Sequence, residues 1–142
     1  MLKSLPSRMN TLLPMLHRLE ITHCPQIDAF PEGGLPPNLK TLRIMECGNL
    51  LRSVSLIGVH KGLTDLTIDD ASIESDNSFP WEGFLPQLPS LHSLQLFRFK
   101  NIETLDCSSG LLHLTSLQVL SIRDCPKLKN MICLMTCLTF EQ

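Results

Sequence analysis

The chain has 142 residues, enough for one ordinary domain, and 43% of them are hydrophobic, ample material for a core. A formal net charge of -2, with twelve basic residues scattered and no run longer than the Lys127/Lys129 pair, gives no electrostatic footing for nucleic acid or an acidic membrane surface. No segment supplies the roughly 20 consecutive apolar residues of a membrane helix, so membrane insertion is not expected.

From the N-terminus, MLKSLPSRMNTLLPML carries prolines, an arginine and an asparagine where a signal peptide needs an unbroken apolar stretch. No N-x-(S/T) glycosylation acceptor occurs anywhere in the chain, and both absences favour a cytoplasmic protein. Leu2-x-x-Leu5-Pro6 reads as the tail of a partial repeat. One phrase then recurs five times: LHRLEITHCPQI from Leu16, LKTLRIMECGNL from Leu39, LTDLTIDDASIE from Leu63, LHSLQLFRFKNI from Leu91 and LQVLSIRDCPKL from Leu117. All five read L-x-x-L-x-(I/L), and their starts lie 23, 24, 28 and 26 residues apart. That period is the period of a leucine-rich repeat.

Within each phrase the apolar residues alternate with period two, the pattern of a half-buried strand. Strands are therefore predicted at Arg18–Thr22, Thr41–Met45, Asp65–Asp69, Ser93–Phe97 and Val119–Arg123. Leu19 and Ile21, Leu42 and Ile44, Leu66 and Ile68, Leu94 and Leu96, and Leu120 and Ile122 point inward. The connecting segments are too long for hairpins and suit return paths that lay successive strands parallel. Stretches such as Phe30-Pro-Glu-Gly-Gly-Leu-Pro-Pro37 favour turns and extended chain over a long helix. The third repeat carries the longest insert, Glu74 to Pro89, whose Trp81 and Phe84 form either a local lid on the core or an exposed apolar patch.

The expected fold is an α/β-type solenoid. It is a leucine-rich-repeat horseshoe with a short-stranded parallel sheet on the concave face and mostly irregular convex returns. Repeats occupy residues 1–130, and 131–142 form an atypical apolar tail, MICLMTCLTFEQ, that repeats nothing. Neither end presents a polar cap, so the chain reads as a piece of a longer array.

Cys24, Cys47 and Cys125 share one repeat position, three residues after the isoleucine, where a small thiol can hydrogen-bond the turn leaving the strand. Cys133-x3-Cys137 lacks a second pair or a histidine at zinc spacing, so no metal or other cofactor is expected.

Outward residues at equal positions of a parallel sheet stack into columns about 4.8 Å apart. Three columns make the candidate protein-binding face. The central one is Glu20, Arg43, Thr67, Gln95 and Ser121. The second is Thr22, Met45, Asp69, Phe97 and Arg123, and the third includes Arg18 and Asp65. Glu20 and Arg43 are placed to pair across strands, and Met45 and Phe97 are apolar residues set in a polar surface, as in recognition surfaces. His23, Glu46, Asp70, Arg98 and Asp124 form a mixed-charge rim expected to be solvated.

The connecting phrases carry a closer resemblance. Residues 5–50, with L-P-x-x-M-x-x-L-L-P, L-x-I-x-x-C-P-x-I and F-P-E-G-G-L-P-x-N-L, resemble the C-terminal leucine-rich repeats of plant nucleotide-binding disease-resistance proteins of the coiled-coil class. Residues 111–131, LLHLTSLQVLSIRDCPKLKNM, have the same character. The resemblance implies an intracellular immune receptor, in which a nucleotide-binding switch is restrained by repeats that sense pathogen effectors. The chain itself has no G-x-x-x-x-G-K-(S/T) phosphate loop, so nucleotide binding is not carried over. The implied partner is a protein: a pathogen effector, a guarded host protein, or the switch domain of a receptor.

An enzyme is not expected: there is no G-x-S-x-G elbow, no H-E-x-x-H, no glycine-rich dinucleotide loop and no tyrosine. His17, His23, His60, His92 and His113 fall at surface or turn positions without a catalytic constellation. The rival reading is a substrate-adaptor repeat protein of a ubiquitin ligase. Its helical returns contrast with the proline-rich FPEGGLPPN.

Overall fold

The computed structural model describes residues 5–24, 26–27, 29–31, 34–47, 50, 60–69, 87–98, 104–106, 114–126, 130–132 and 139–141. Strands form where the repeated phrase places them: β1 Arg18–Thr22, β2 Thr41–Met45, β3 Asp65–Asp69, β4 Ser93–Phe97 and β6 Val119–Arg123. Three shorter strands join them, β5 Thr104–Asp106, β7 Asn130–Ile132 and β8 Thr139–Glu141. A four-residue helix, α1 Met9–Leu12, precedes β1.

The main sheet is six-stranded and parallel in the order β1-β2-β3-β4-β6-β8, and β5 pairs with β7 in a separate two-stranded sheet. The chain is a leucine-rich-repeat α/β solenoid. Its register keeps the phrase aligned, with Glu20 beside Arg43, Arg43 beside Thr67, Thr67 beside Gln95 and Gln95 beside Ser121. The apolar tail, which repeats no phrase, nevertheless supplies β8, whose Thr139 stands beside Val119 in the ladder. Trp81 and Phe84 lie outside the described residues, as do Asp70, His113 and the Cys133/Cys137 pair.

β2, β3, β4 and β6 are entered in the same way. The carbonyl of His17 accepts the N–H groups of Lys40 and Thr41, that of Lys40 those of Thr64 and Asp65, that of Thr64 those of His92 and Ser93, and that of His92 those of Gln118 and Val119. β1, β2, β4 and β6 leave through a left-handed residue: His23, Glu46, Arg98 and Asp124 have φ of 52, 56, 54 and 56°. The N–H of His23 then bonds the Met45 carbonyl one repeat on, and that of Arg98 the Arg123 carbonyl. At these four strands the chain thus turns off the sheet at the same step.

The core is built from equal positions of successive repeats. Leu39, Leu63, Leu91 and Leu117 open the phrases, and Leu42, Leu66, Leu94 and Leu120 follow, with Ile21, Ile44, Ile68, Leu96 and Ile122 beyond them. Burying each such side chain contributes about 1.5–3 kcal/mol. The first repeat differs. Leu16 and Leu19 are only partly buried, because β1 is the edge strand. Leu12, Leu13 and Met15 are exposed at the same end, Met15 at 72%.

The turn before each phrase shows one substitution that pattern reading does not foresee. Leu16, Leu39, Leu91 and Leu117 each donate their N–H to the carbonyl three residues earlier, on Leu13, Pro36, Leu88 and Leu114. In the third repeat the equivalent residue is His60, and its side chain takes over. Nδ1 accepts the N–H groups of Leu63 at 3.1 Å and Gly62 at 3.2 Å. With Nδ1 occupied as acceptor, Nε2 carries the proton and donates to the Pro36 carbonyl at 2.8 Å. His60 thus holds a turn position, as expected, with its side chain buried there.

Candidate protein-recognition face

The outward side chains of the main sheet occupy three registers, and the structure sorts the twelve candidates by exposure. Arg18, Glu20, Thr22, Asp65 and Arg123 are exposed, and Arg43, Met45, Gln95 and Phe97 are half-buried. Thr67, Asp69 and Ser121 are buried, which corrects the expectation that every outward position is presented to solvent. Period-two alternation reports the side of the sheet and not the height of the neighbours. Thr67 stands between Arg43 and Gln95, and a short side chain flanked by two long ones about 4.8 Å away is shadowed by them. Ser121 has the long Gln95 beside it in the ladder.

At the β1 end, Glu20 is held between two guanidinium groups. Arg18 Nη2 lies 3.2 Å from one carboxylate oxygen and Arg43 Nη1 lies 3.6 Å from the other. The expected Glu20–Arg43 pair is thus present, with Arg18 as a second cation. The Arg43 guanidinium also reaches the Met45 sulfur at 3.7 Å, which lays the thioether against the base of the charged cluster. These groups are solvent-accessible, so the pairs contribute little stability, of order 0–1 kcal/mol each.

The exit ends of the strands carry a second charged cluster. Asp69, at the end of β3, is fully buried, with Met45 and Phe97 as its ladder neighbours. A buried carboxylate needs a charged or hydrogen-bonding partner. Arg98 is that partner: its Nε donates to Asp69 Oδ1 at 3.0 Å and its Nη2 to Oδ2. The same Nη2 reaches Glu46 Oε1 at 3.2 Å, two strands away, and His23 Nδ1 contacts the other Glu46 oxygen. The hydrogen bond to Asp69 holds the Arg98 guanidinium above its ordinary range, with burial opposing and Glu46 adding to the effect. Of the rim expected to be solvated, His23, Glu46 and Arg98 are bridged to one another and to Asp69, Asp124 is exposed, and Asp70 lies outside the described residues.

The cysteine position behaves as its chemistry suggests. Cys24, Cys47 and Cys125 are reduced thiols, and each donates to the carbonyl two residues earlier, on Thr22 (3.1 Å), Met45 (3.2 Å) and Arg123 (3.4 Å). Cys47 is fully buried, its sulfur also reaching the Ile21 carbonyl at 3.6 Å and accepting the Cys24 N–H at 3.4 Å. Burial pushes the Cys47 thiol up from its ordinary value of 9.0, against the opposing effect of the Cys24 N–H, and the adjacent Cys24 thiol adds to the rise.

The face presents half-buried Met45 and Phe97 one step either side of a buried carboxylate, framed by exposed or half-buried arginines. His17, His23 and His92 are exposed, apart from one another in sequence, and each has a local hydrogen-bond or ionic partner. Among the described residues no helix is long and apolar enough to cross a membrane.

No protein-family model matches the chain, and no solved structure matches it. A protein of Arabidopsis thaliana named "Putative disease resistance protein" is 36% identical to it over a 142-residue alignment. The alignment takes in 82% of this chain and 10% of that relative, so the chain spans about a tenth of the relative's length.

Proposed function

We propose that this chain is a non-enzymatic protein-recognition module of plant defence, comparable to the effector-sensing and autoinhibitory repeats of an intracellular immune receptor. The observation that carries the reading is the in-register display of Met45 and Phe97 as half-buried apolar residues among Arg43, Gln95, Glu20, Arg18 and Arg123. Apolar anchors ringed by arginine and other polar groups are what the energetically dominant centres of protein interfaces are made of. The similarity to a protein named for disease resistance supports the setting. The partner is a protein: a pathogen effector, a guarded host protein or the switch domain of a receptor, met in the cytoplasm. No nucleotide is required, because the chain has no phosphate loop.

The test uses the portion of the Arabidopsis relative outside the matched stretch as the probe for the restraining role, measured by biolayer interferometry against this chain. Binding to the wild type, weakened about tenfold by Phe97→Ala and by Arg43→Ala, would support the reading; tenfold corresponds to about 1.4 kcal/mol. Equal affinity for both variants and the wild type would remove the concave face from the interface. No binding at all would remove the restraining role and leave effector or host-protein capture.

A further inference from the structure

We infer that Cys24 and Cys47 form an oxidant-driven disulfide site that staples the first two strands of the sheet together. Three geometric facts point there. The strands run in register through Thr22 and Met45, and the ladder continues one step further through the His23 N–H to the Met45 carbonyl. Adjacent strands stand about 4.8 Å apart, inside the roughly 4.4–6.8 Å between α-carbons that a disulfide spans. Two residues beyond, the Cys47 sulfur takes the Cys24 N–H at 3.4 Å, and each sulfur is anchored to the carbonyl ending its own strand. The two thiols therefore sit one above the other at the same turn of consecutive repeats.

Their exposures divide the work. Cys24 is half-buried and meets solvent, and Cys47 is fully buried beneath it. With hydrogen peroxide as oxidant, the Cys24 sulfur gives up its proton and attacks one peroxide oxygen. The O–O bond breaks, giving a sulfenic acid on Cys24 and a hydroxide that takes the released thiol proton to become one water. The Cys47 sulfur then attacks the Cys24 sulfur. The S–O bond breaks, and the departing hydroxide takes the Cys47 proton to make the second water. Each sulfur loses one electron, and the two peroxide oxygens are reduced to water. The product gives up the thiol hydrogen bonds to Thr22, Met45 and Ile21 in exchange for a covalent link between repeats.

The test treats the full chain with hydrogen peroxide, blocks remaining thiols with N-ethylmaleimide, and maps tryptic peptides without reduction. Trypsin separates the two cysteines into peptides 19–40 and 44–52, and Cys125 into 124–127. The expected result is a 19–40/44–52 cross-linked species that disappears on reduction. The Cys125 peptide stays alkylated under the same dose, because its counterpart one repeat earlier is Phe99. In Cys47→Ser the 19–40 peptide should stop at the sulfenic acid, trapped by dimedone. Should Cys47→Ser fold poorly, Cys24→Ser tests the same pairing: there, peptide 44–52 should remain alkylatable after peroxide. Alkylation of both peptides in the oxidised wild type, or pairing of either cysteine with another residue in preference, overturns the assignment.

Discussion

Arg98 and Asp69 are joined through one guanidinium edge and both carboxylate oxygens, so that a half-exposed cation on the exit turn of β4 neutralises a fully buried carboxylate at the end of β3. The pair explains why a charged residue survives at a position flanked by Met45 and Phe97. It also ties three repeats together, because Arg98 continues to Glu46.

Breaking this pair from the two sides should not cost the same. Arg98→Ala removes the cation facing the buried carboxylate and should destabilise by about 3 kcal/mol. Asp69→Ala returns the arginine to water and should cost less. The double variant should fall short of the sum by about 1–3 kcal/mol, read as a coupling energy from urea denaturation of all four proteins. Additive costs would mean that Arg98 does not neutralise Asp69.

His60 stands where other repeats use Leu88 and Leu114, and its imidazole replaces a backbone carbonyl as the acceptor of the turn. His60→Ala leaves one buried and one part-buried donor and one carbonyl to find new partners and should cost about 2–4 kcal/mol. His60→Leu should cost less, since a leucine there lets the backbone carbonyl accept the Leu63 N–H as it does in the sister turns. Circular-dichroism melts of the three proteins order them; leucine no better than alanine would contradict the equivalence.

The pH response follows from Cys47. Its thiol is pushed up by burial, so in the folded chain it stays protonated to a higher pH than in the unfolded chain. Stability is therefore complete below about 9.0, the ordinary thiol value, and is lost as pH rises from there through the folded-state value. Denaturation midpoints should fall across that window in the wild type, and the fall should shrink in Cys47→Ala. An identical alkaline slope in both would assign the loss to other groups.

The left-handed exit residues give a backbone prediction. Asp124 has φ of 56° and an exposed side chain, and aspartate tolerates that region better than a β-branched residue does. Asp124→Val should cost about 1–2 kcal/mol, while Asp124→Gly should stay within about 1 kcal/mol of the wild type. Thermal denaturation distinguishes the two.

Much of this architecture is legible in residue order because the phrase L-x-x-L-x-(I/L) states side, register and period at once. Placing β1 to β4 and β6 needs nothing more, and Leu42, Leu66, Leu94 and Leu120 follow as a buried row. The Glu20–Arg43 pair follows from the same register. The buried Thr67 and Ser121 do not, because shadowing depends on the neighbours' length across strands, which alternation along one strand cannot express. Nor does Arg98 reaching two strands sideways, since a left-handed turn first swings it off the column. The strands β5, β7 and β8 are three residues each, too short for an alternating pattern to stand out.

The evenly repeated ladder has a mechanical meaning. Neighbours in the main sheet's first four strands belong to consecutive phrases 23 to 28 residues apart, so load applied across the sheet edge falls on one strand's hydrogen bonds at a time. Each strand peeled away frees one repeat of slack, about 80–100 Å of extended chain at roughly 3.5 Å per residue. Pulled from β1, the molecule should lengthen in steps of that size, like a zipper. The first step should be the weakest, because Leu16 and Leu19 are packed on one side alone.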